Sequence, residues 1–298
     1  MTLPLTPTAC WKPHTQHGEG ALWSVEKQWA YWVDIHGQFL HAYRPADGAR
    51  FSWPMPAKIG WVIETTSGGL VGGFSSGFMR IELDPVVRLT PILSDAIDPV
   101  RSHPSLRLND AKADAWGRIW AGTMNDAGTA QADGKLYRLD PDGTLTEMDT
   151  GYHVTNGPTF SPDGKILYHT DSERRTIYAF DLDETGALHN KRVWVTLSEN
   201  DGYPDGMQTD ANGCVWVGHY AGHRVTCFSP EGKVLQTITL PVSNVTNCCF
   251  GGADLTQLFL TTSRQNFTAE DDAREPLAGS LFSVPLTVAG LPAAKFAG

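Results

Sequence analysis

Leu136-Tyr-Arg-Leu-Asp-Pro141 is a short alternating run that ends on a turn pair, and close copies of it recur along the chain. They read Phe39-Leu-His-Ala-Tyr-Arg-Pro45, Met79-Arg-Ile-Glu-Leu-Asp-Pro85, Ile177-Tyr-Ala-Phe-Asp-Leu-Asp183, Val225-Thr-Cys-Phe-Ser-Pro230 and Leu281-Phe-Ser-Val-Pro285. Alternating β-branched and aromatic residues closed by Pro, Asp or Gly mark strands. A Gly turn and another apolar strand follow several copies, at Asp47-Gly48, Asp142-Gly143, Thr185-Gly186 and Glu231-Gly232. A second strand phrase comes before: Trp29-Ala-Tyr-Trp-Val-Asp34, Gly117-Arg-Ile-Trp-Ala-Gly122, Lys165-Ile-Leu-Tyr-His-Thr-Asp171, Gly213-Cys-Val-Trp-Val-Gly218 and Leu258-Phe-Leu-Thr-Thr262.

Six copies in 298 residues put the mean interval near 50. Two strand phrases per unit, with the strands around them, make about four strands per repeat, the period of a β-propeller blade. The chain is therefore expected to be all-β: a six-bladed propeller forming one domain over residues 1–298, with N-terminal residues closing the last blade and so removing the free sheet edges. No window shows a sustained helical period. An ordinary sandwich would not repeat at so steady an interval.

Composition narrows the function. There are 23 Lys and Arg against 33 Asp and Glu, a net charge of −10. Nucleic acid and anionic membranes both select a basic face, so neither is an expected partner. No apolar run reaches the roughly 18 residues of a membrane helix. No basic start followed by an apolar core lies within Met1 to Lys12, so a cytoplasmic location is expected. Five cysteines, Cys10, Cys214, Cys227, Cys248 and Cys249, with no C-x-x-C, read as reduced thiols. Oligomeric state is left open.

A propeller brings equivalent points of its blades together at one mouth of a central channel. Four polar phrases recur at such points: Gly18-Glu19-Gly20, Arg107-Leu-Asn109-Asp110, Thr155-Asn156-Gly157-Pro158 and Tyr203-Pro-Asp205-Gly206. Glu19, Arg107, Asn156 and Asp205 stand 88, 49 and 49 residues apart, once per blade with one blade skipped.

These phrases resemble the SMP-30/gluconolactonase/regucalcin-like family. The similarity rests on Gly18-Glu-Gly-Ala-Leu-Trp23, Arg107-Leu-Asn-Asp110 with Asp114-Ala-Trp-Gly-Arg-Ile-Trp-Ala-Gly-Thr-Met124, Thr155-Asn-Gly157 with Ser161-Pro-Asp-Gly164, and Pro204-Asp-Gly206. It extends to Asn244-Val-Thr246, Phe250-Gly-Gly252 and Thr261-Thr262, and covers residues 15 to 285. The nearest type is the bacterial aldonolactonase, of the xylonolactonase or gluconolactonase kind. The resemblance implies one divalent cation held by Glu19, Asn156 and Asp205, with Arg107 and Asn109 lining a substrate pocket. Asp126, shortly after Gly122-Thr-Met124, is placed at the substrate by the same resemblance, one position early. Ala21 stands where the family usually has Pro.

Two carboxylates and an amide oxygen are hard ligands, suited to Ca²⁺, Mg²⁺ or Mn²⁺ and compatible with Zn²⁺ or Fe²⁺. Asp205 is the expected base toward an attacking water. The expected activity is hydrolysis of sugar-acid lactones such as xylonolactone, gluconolactone or arabinonolactone. The alternative is a calcium-binding regulatory protein of regucalcin type with little catalysis. Asp110 reads as a turn residue beside Asn109 or as one that supports the site from behind. Gly73-Phe-Ser75-Ser-Gly77 matches a nucleophile elbow, but a strand rather than a helix follows it. His219 and His223 have a zinc-like spacing only on a helix, and Gly218 and Gly222 favour a hairpin.

Overall fold

The repeat becomes six four-stranded antiparallel sheets in the computed structural model, which describes residues 5–84 and 86–298. Residues 1–4, and Pro85 at the end of the second repeat copy, lie outside the described residues. Each copy of the opening phrase is the third strand of its sheet: Phe39–Arg44, Gly77–Glu82, Gly134–Leu139, Thr176–Leu182, Arg224–Phe228 and Leu281–Pro285. Five sheets run in sequence order over residues 18–54, 59–91, 106–152, 155–196 and 203–239, and are numbered here as blades one to five. Blade six takes residues 245–285. Its outer edge is Thr8–Trp11, paired antiparallel with Leu281–Pro285.

The innermost strands are Gly18–Ser24, Ile59–Glu64, Leu106–Ala113, Thr155–Phe160, Tyr203–Thr209 and Val245–Gly251. Each packs against its counterparts in both adjacent blades, and the last meets the first, so the ring is closed. The core is correspondingly divided. Six clusters of buried apolar side chains fill the six wedges between adjacent blades. Trp32, Trp61, Trp120 and Trp216 anchor four of these wedges and are at most 1% exposed. At ~25 cal/mol per Å² and roughly 200 Å² per indole, each contributes on the order of 5 kcal/mol before entropy is subtracted. Two indoles are tied at their polar end as well. Trp120 donates to Asp114 at 2.7 Å and Trp216 to Asp210 at 3.0 Å, the same device in blades three and five. Asp114 and Asp210 also accept backbone N–H groups of their own turns.

One short α-helix, Ala269–Arg274, and a 3₁₀ turn, Glu199–Asp201, depart from the all-strand expectation. The helix is capped by Thr268, whose hydroxyl accepts from the Asp271 N–H while the Asp271 carboxylate accepts from the Thr268 N–H. Six residues are too few for a helical period to register in sequence. Among the described residues no helix is long and apolar enough to cross a membrane.

The C-terminal tail crosses the ring. At one end Ala211 N–H donates to Ala289 and Gly290 N–H to Leu255, on blades five and six. At the other end Phe296 N–H donates to Glu64 and Ala297 N–H to Gly117, on blades two and three. The Phe296 ring is 1% exposed and lies in the wedge between those blades. Phe296→Ala is expected to cost about 3–5 kcal/mol of unfolding free energy, measured as a lower denaturant midpoint. An unchanged midpoint would show that the tail is not anchored there.

Candidate active site

Every innermost strand carries a register shift close to its start. The shifts fall between Glu19 and Leu22, Ile59 and Trp61, Leu108 and Ala111, Asn156 and Thr159, Pro204 and Met207, and Val245 and Cys248. An irregularity of this kind breaks strict alternation and re-aims side chains. Here it turns Glu19, Asn109, Asp110, Asn156, Asp205 and Asn247 toward one another from five blades. All six are buried. Gly206 permits the approach, because a Cβ there would lie 2.2 Å from the Asn247 amide nitrogen. Gly60, blade two's residue at this level, lets the Asn109 carbonyl come where a Cβ would be 2.4 Å away.

The contacts define a cage. Glu19 Oε2 accepts from the Gly20 N–H and from Asn247 Nδ2, both at 2.9 Å. Asn247 Nδ2 also reaches Asp110 Oδ2 at 3.3 Å, from blade six to blade three across the ring. Asn109 Nδ2 donates to Asn156 Oδ1 at 3.0 Å and to the Thr155 carbonyl at 2.6 Å. Asn156 Nδ2 donates to Ser172 Oγ at 2.9 Å, and Ser172 is held in turn by the Pro204 carbonyl at 2.7 Å. This chain fixes the Asn156 amide with its oxygen toward Asn109. Arg107 Nη1 donates to Asn109 Oδ1 at 2.6 Å. Its Nε lies 3.2 Å from Asp126 Oδ1, and Lys58 Nζ donates to both oxygens of Asp126 at 2.9 and 2.7 Å.

The charges are strained without a cation. Burial pushes the Asp205 carboxyl well above the usual range, and Glu19 beside it adds to the rise. Asp110 is pushed up to about 7 by burial and then by Glu19. Burial also raises Glu19. Three carboxyls cannot all ionise in one desolvated space unless positive charge joins them. Asp205 Oδ1 is moreover buried with no hydrogen-bond partner. An orphaned carboxylate oxygen, two neighbouring carboxylates and an oriented amide oxygen are the donor set of a hard divalent ion. Arg107 is buried, which lowers its pKa, and the nearby carboxylates Asp126 and Glu19 act the other way. On the same side His17 is held well below its ordinary pKa by burial and by Arg107, and its ring Nδ1 lies 2.9 Å from Ser263 Oγ.

The structure thus brings together Glu19, Asn156, Asp205, Arg107 and Asn109, with Asp126 joined to them through Arg107. Of the two readings of Asp110 it favours the one that joins it to the site, since its carboxyl reaches Asn247 across the cage. Asn247 and Lys58 were not foreseen. Thr246-Asn247 repeats the dipeptide Thr155-Asn156, but two places further along relative to the register shift, so the repeat does not single it out. Ser75 and Ser76 lie in the turn between Leu70–Phe74 and Gly77–Glu82, so no elbow forms. His219 and His223 flank a hairpin turn, with His219 Nδ1 2.8 Å from the Asp201 carbonyl. Apart from the cage, the Asp210 carboxylate and the thiols of Cys214 and Cys227 place ligand atoms within 4.8 Å of one another. That carboxylate already accepts N–H groups from Asn212, Cys214 and Trp216.

Fold and site together define a six-bladed propeller with a cage of acid and amide side chains at its centre. The family model described as SMP-30/Gluconolactonase/LRE-like region matches residues 17–264, and the chain belongs to this family. A 6-deoxy-6-sulfogluconolactonase of Pseudomonas putida is 36% identical over 282 residues, covering 94% of this chain and 95% of the relative. Regucalcin of Danio rerio is 34% identical over 291 residues, covering 96% and 97%. The crystal structure of a calcium-binding regucalcin from Agrobacterium tumefaciens superposes with a TM-score of 0.92 at 21% identity, covering 99% of this chain and 98% of the other, which is a likeness of fold.

Proposed function

We propose that the protein is a divalent-metal-dependent lactonase opening five- or six-membered lactones of sugar acids. The observation that carries this reading is the buried, unpartnered oxygen of Asp205 beside Glu19 and the oriented Asn156 amide. Glu19, Asn156 and Asp205 would hold the ion. When bound, the ion supplies Lewis-acid polarisation of the lactone carbonyl. Asp205 takes the proton of the attacking water as the new carbon–oxygen bond forms. The same carboxyl returns that proton to the ring oxygen as the ester bond breaks. Arg107 and Asn109 hold sugar hydroxyls or the oxygen on which negative charge develops. Asp126 and Lys58 set the guanidinium in place from outside. Support also comes from lactonases among the relatives, at about a third identity over nearly the whole chain.

A second reading, a calcium-binding protein with little catalysis, draws on the same cage and on the relatives named regucalcin. The buried Arg107–Asn109 pair favours the enzyme, because ion binding alone needs no cationic group held beside the cage. The test is a pH-drop assay over a panel of aldonolactones with chelated protein and single added metals. Turnover that needs an added ion and favours hydroxylated lactones is expected. Arg107→Ala should then lose at least about tenfold in kcat/KM on hydroxylated lactones, the scale of one charge-assisted contact. Simple unsubstituted lactones should suffer less. Equal losses on both would remove the sugar contact, and ion binding with no turnover on any lactone would select the second reading.

A further inference from the structure

Below the cage the channel widens into a cavity of about 520 Å³. The innermost strand of blade three runs from one into the other. Asp110 ends its bulge and Lys112 follows two residues on, and both line the cavity. Asp110 lines both spaces. Lys112 lines only the cavity, with Trp23, Trp61, Trp116, Ala113 and Cys249 among its walls. The far side is roofed by Leu291 and its neighbours in the C-terminal tail, where it crosses between opposite blades. The volume is that of a small-molecule site, and the walls are largely aromatic and aliphatic.

Lys112 is the anomaly in this chamber. It is only partly accessible, and among the described residues it has no hydrogen-bond or ion-pair partner. It does act electrostatically on Asp110 above it and on Cys249 from blade six. An ammonium with no direct side-chain partner is free to pair with a docking anion. Trp116, exposed on the wall, and the aliphatic lining suit a ligand whose remainder is flat and apolar.

We infer that this chamber is a second binding site, for a small aromatic monocarboxylate whose head group pairs with Lys112. A dianion such as phosphate is disfavoured, because Lys112 has no second cation beside it and Asp110 and Asp163 also line the space. The polyhydroxylated acid released by the proposed reaction is disfavoured by the walls. The inference does not rest on the lactonase reading, although Asp110 is shared by the two spaces.

The test uses 3-phenylpropionate as probe, titrated calorimetrically into chelator-treated full-length protein so that no cage cation can bind the carboxylate. Saturable binding at millimolar or lower concentration is expected. 3-Phenylpropanol and gluconate should each bind about tenfold more weakly or worse, the scale of a charge-assisted pair. Lys112→Met should erase the preference of acid over alcohol, and Lys112→Arg should keep it. No saturation, an alcohol that binds as well as the acid, or a soaked crystal with the probe at the cage would each overturn the inference. The acid–alcohol comparison uses the unaltered protein, so it holds even if Lys112→Met fails to fold.

Discussion

Asp205→Asn is expected to remove lactone hydrolysis, by on the order of a thousandfold or more in kcat, and to leave the propeller standing. The size follows from two roles falling on one carboxyl. General-base catalysis alone is worth roughly 10²–10⁴, and the substitution also takes one negative ligand from a divalent ion. The fold is spared because Asp205 Oδ1 has no hydrogen-bond partner among the described residues, and an amide can keep the contacts of this side chain with Glu19 and the Gly206 N–H. The amide in fact removes repulsion against Glu19 and Asp110. Without added metal, Asp205→Asn should therefore melt no lower than the parent, while the stabilisation that metal confers on the parent should shrink. Glu19→Gln is expected to inactivate as well, but less cleanly. Glu19 Oε2 accepts from Gly20 and Asn247, so one face of the new amide must turn away from those donors. Initial rates with saturating metal and melting curves with and without chelator check both variants. Parental turnover by Asp205→Asn in folded protein would defeat the assigned mechanism.

The cage shows how far residue patterns alone can reach. Glu19, Asn156 and Asp205 are singled out by the family resemblance, and their blade spacing agrees with it because a propeller converts a period along the chain into proximity about an axis. Three polar residues beside glycine at blade spacing must meet if the ring closes. Asp110 is less legible. Strand alternation sends neighbours to opposite faces, so two adjacent residues of one strand are not expected to turn inward together. The register shift between Leu108 and Ala111 lets both turn in, and nothing in the run Arg107-Leu-Asn-Asp110 announces a bulge. Lys58 escaped for a different reason. It sits in the link between blades one and two and meets Asp126 of blade three, a contact between segments whose paths no repeat dictates. The chamber was hidden for the same reason, since the tail that roofs it lies outside the six repeats.

Stability in the absence of metal is expected to fall as pH rises from about 5 to 7, and added divalent ion should abolish the fall. Asp110 at about 7 and Asp205 well above the carboxylate range hold protons in the folded chain that the unfolded chain has released by about pH 5. The native state thus binds more protons than the unfolded one, and the slope of unfolding free energy with pH is negative through that window. Below about pH 6.5 an opposite slope competes. His17, His41, His169 and His219 are buried with lowered pKa values, so the unfolded chain binds more protons there and stability rises with pH. Those imidazoles are neutral in both states above about pH 7, which leaves the carboxyls to set the slope. The clean measurement is the difference in melting temperature between metal-loaded and chelated protein from about pH 5 to 7.5. The histidines cancel in that difference. The gap should widen with pH by several degrees, since each kcal/mol is worth about 2–4 °C in a chain of this size. The double variant Asp110→Asn/Asp205→Asn removes the two titrating groups and should flatten the chelated curve. A gap that stays constant with pH would show that no positive charge is needed to relieve those carboxyls, and would remove the physical reason for placing an ion between them.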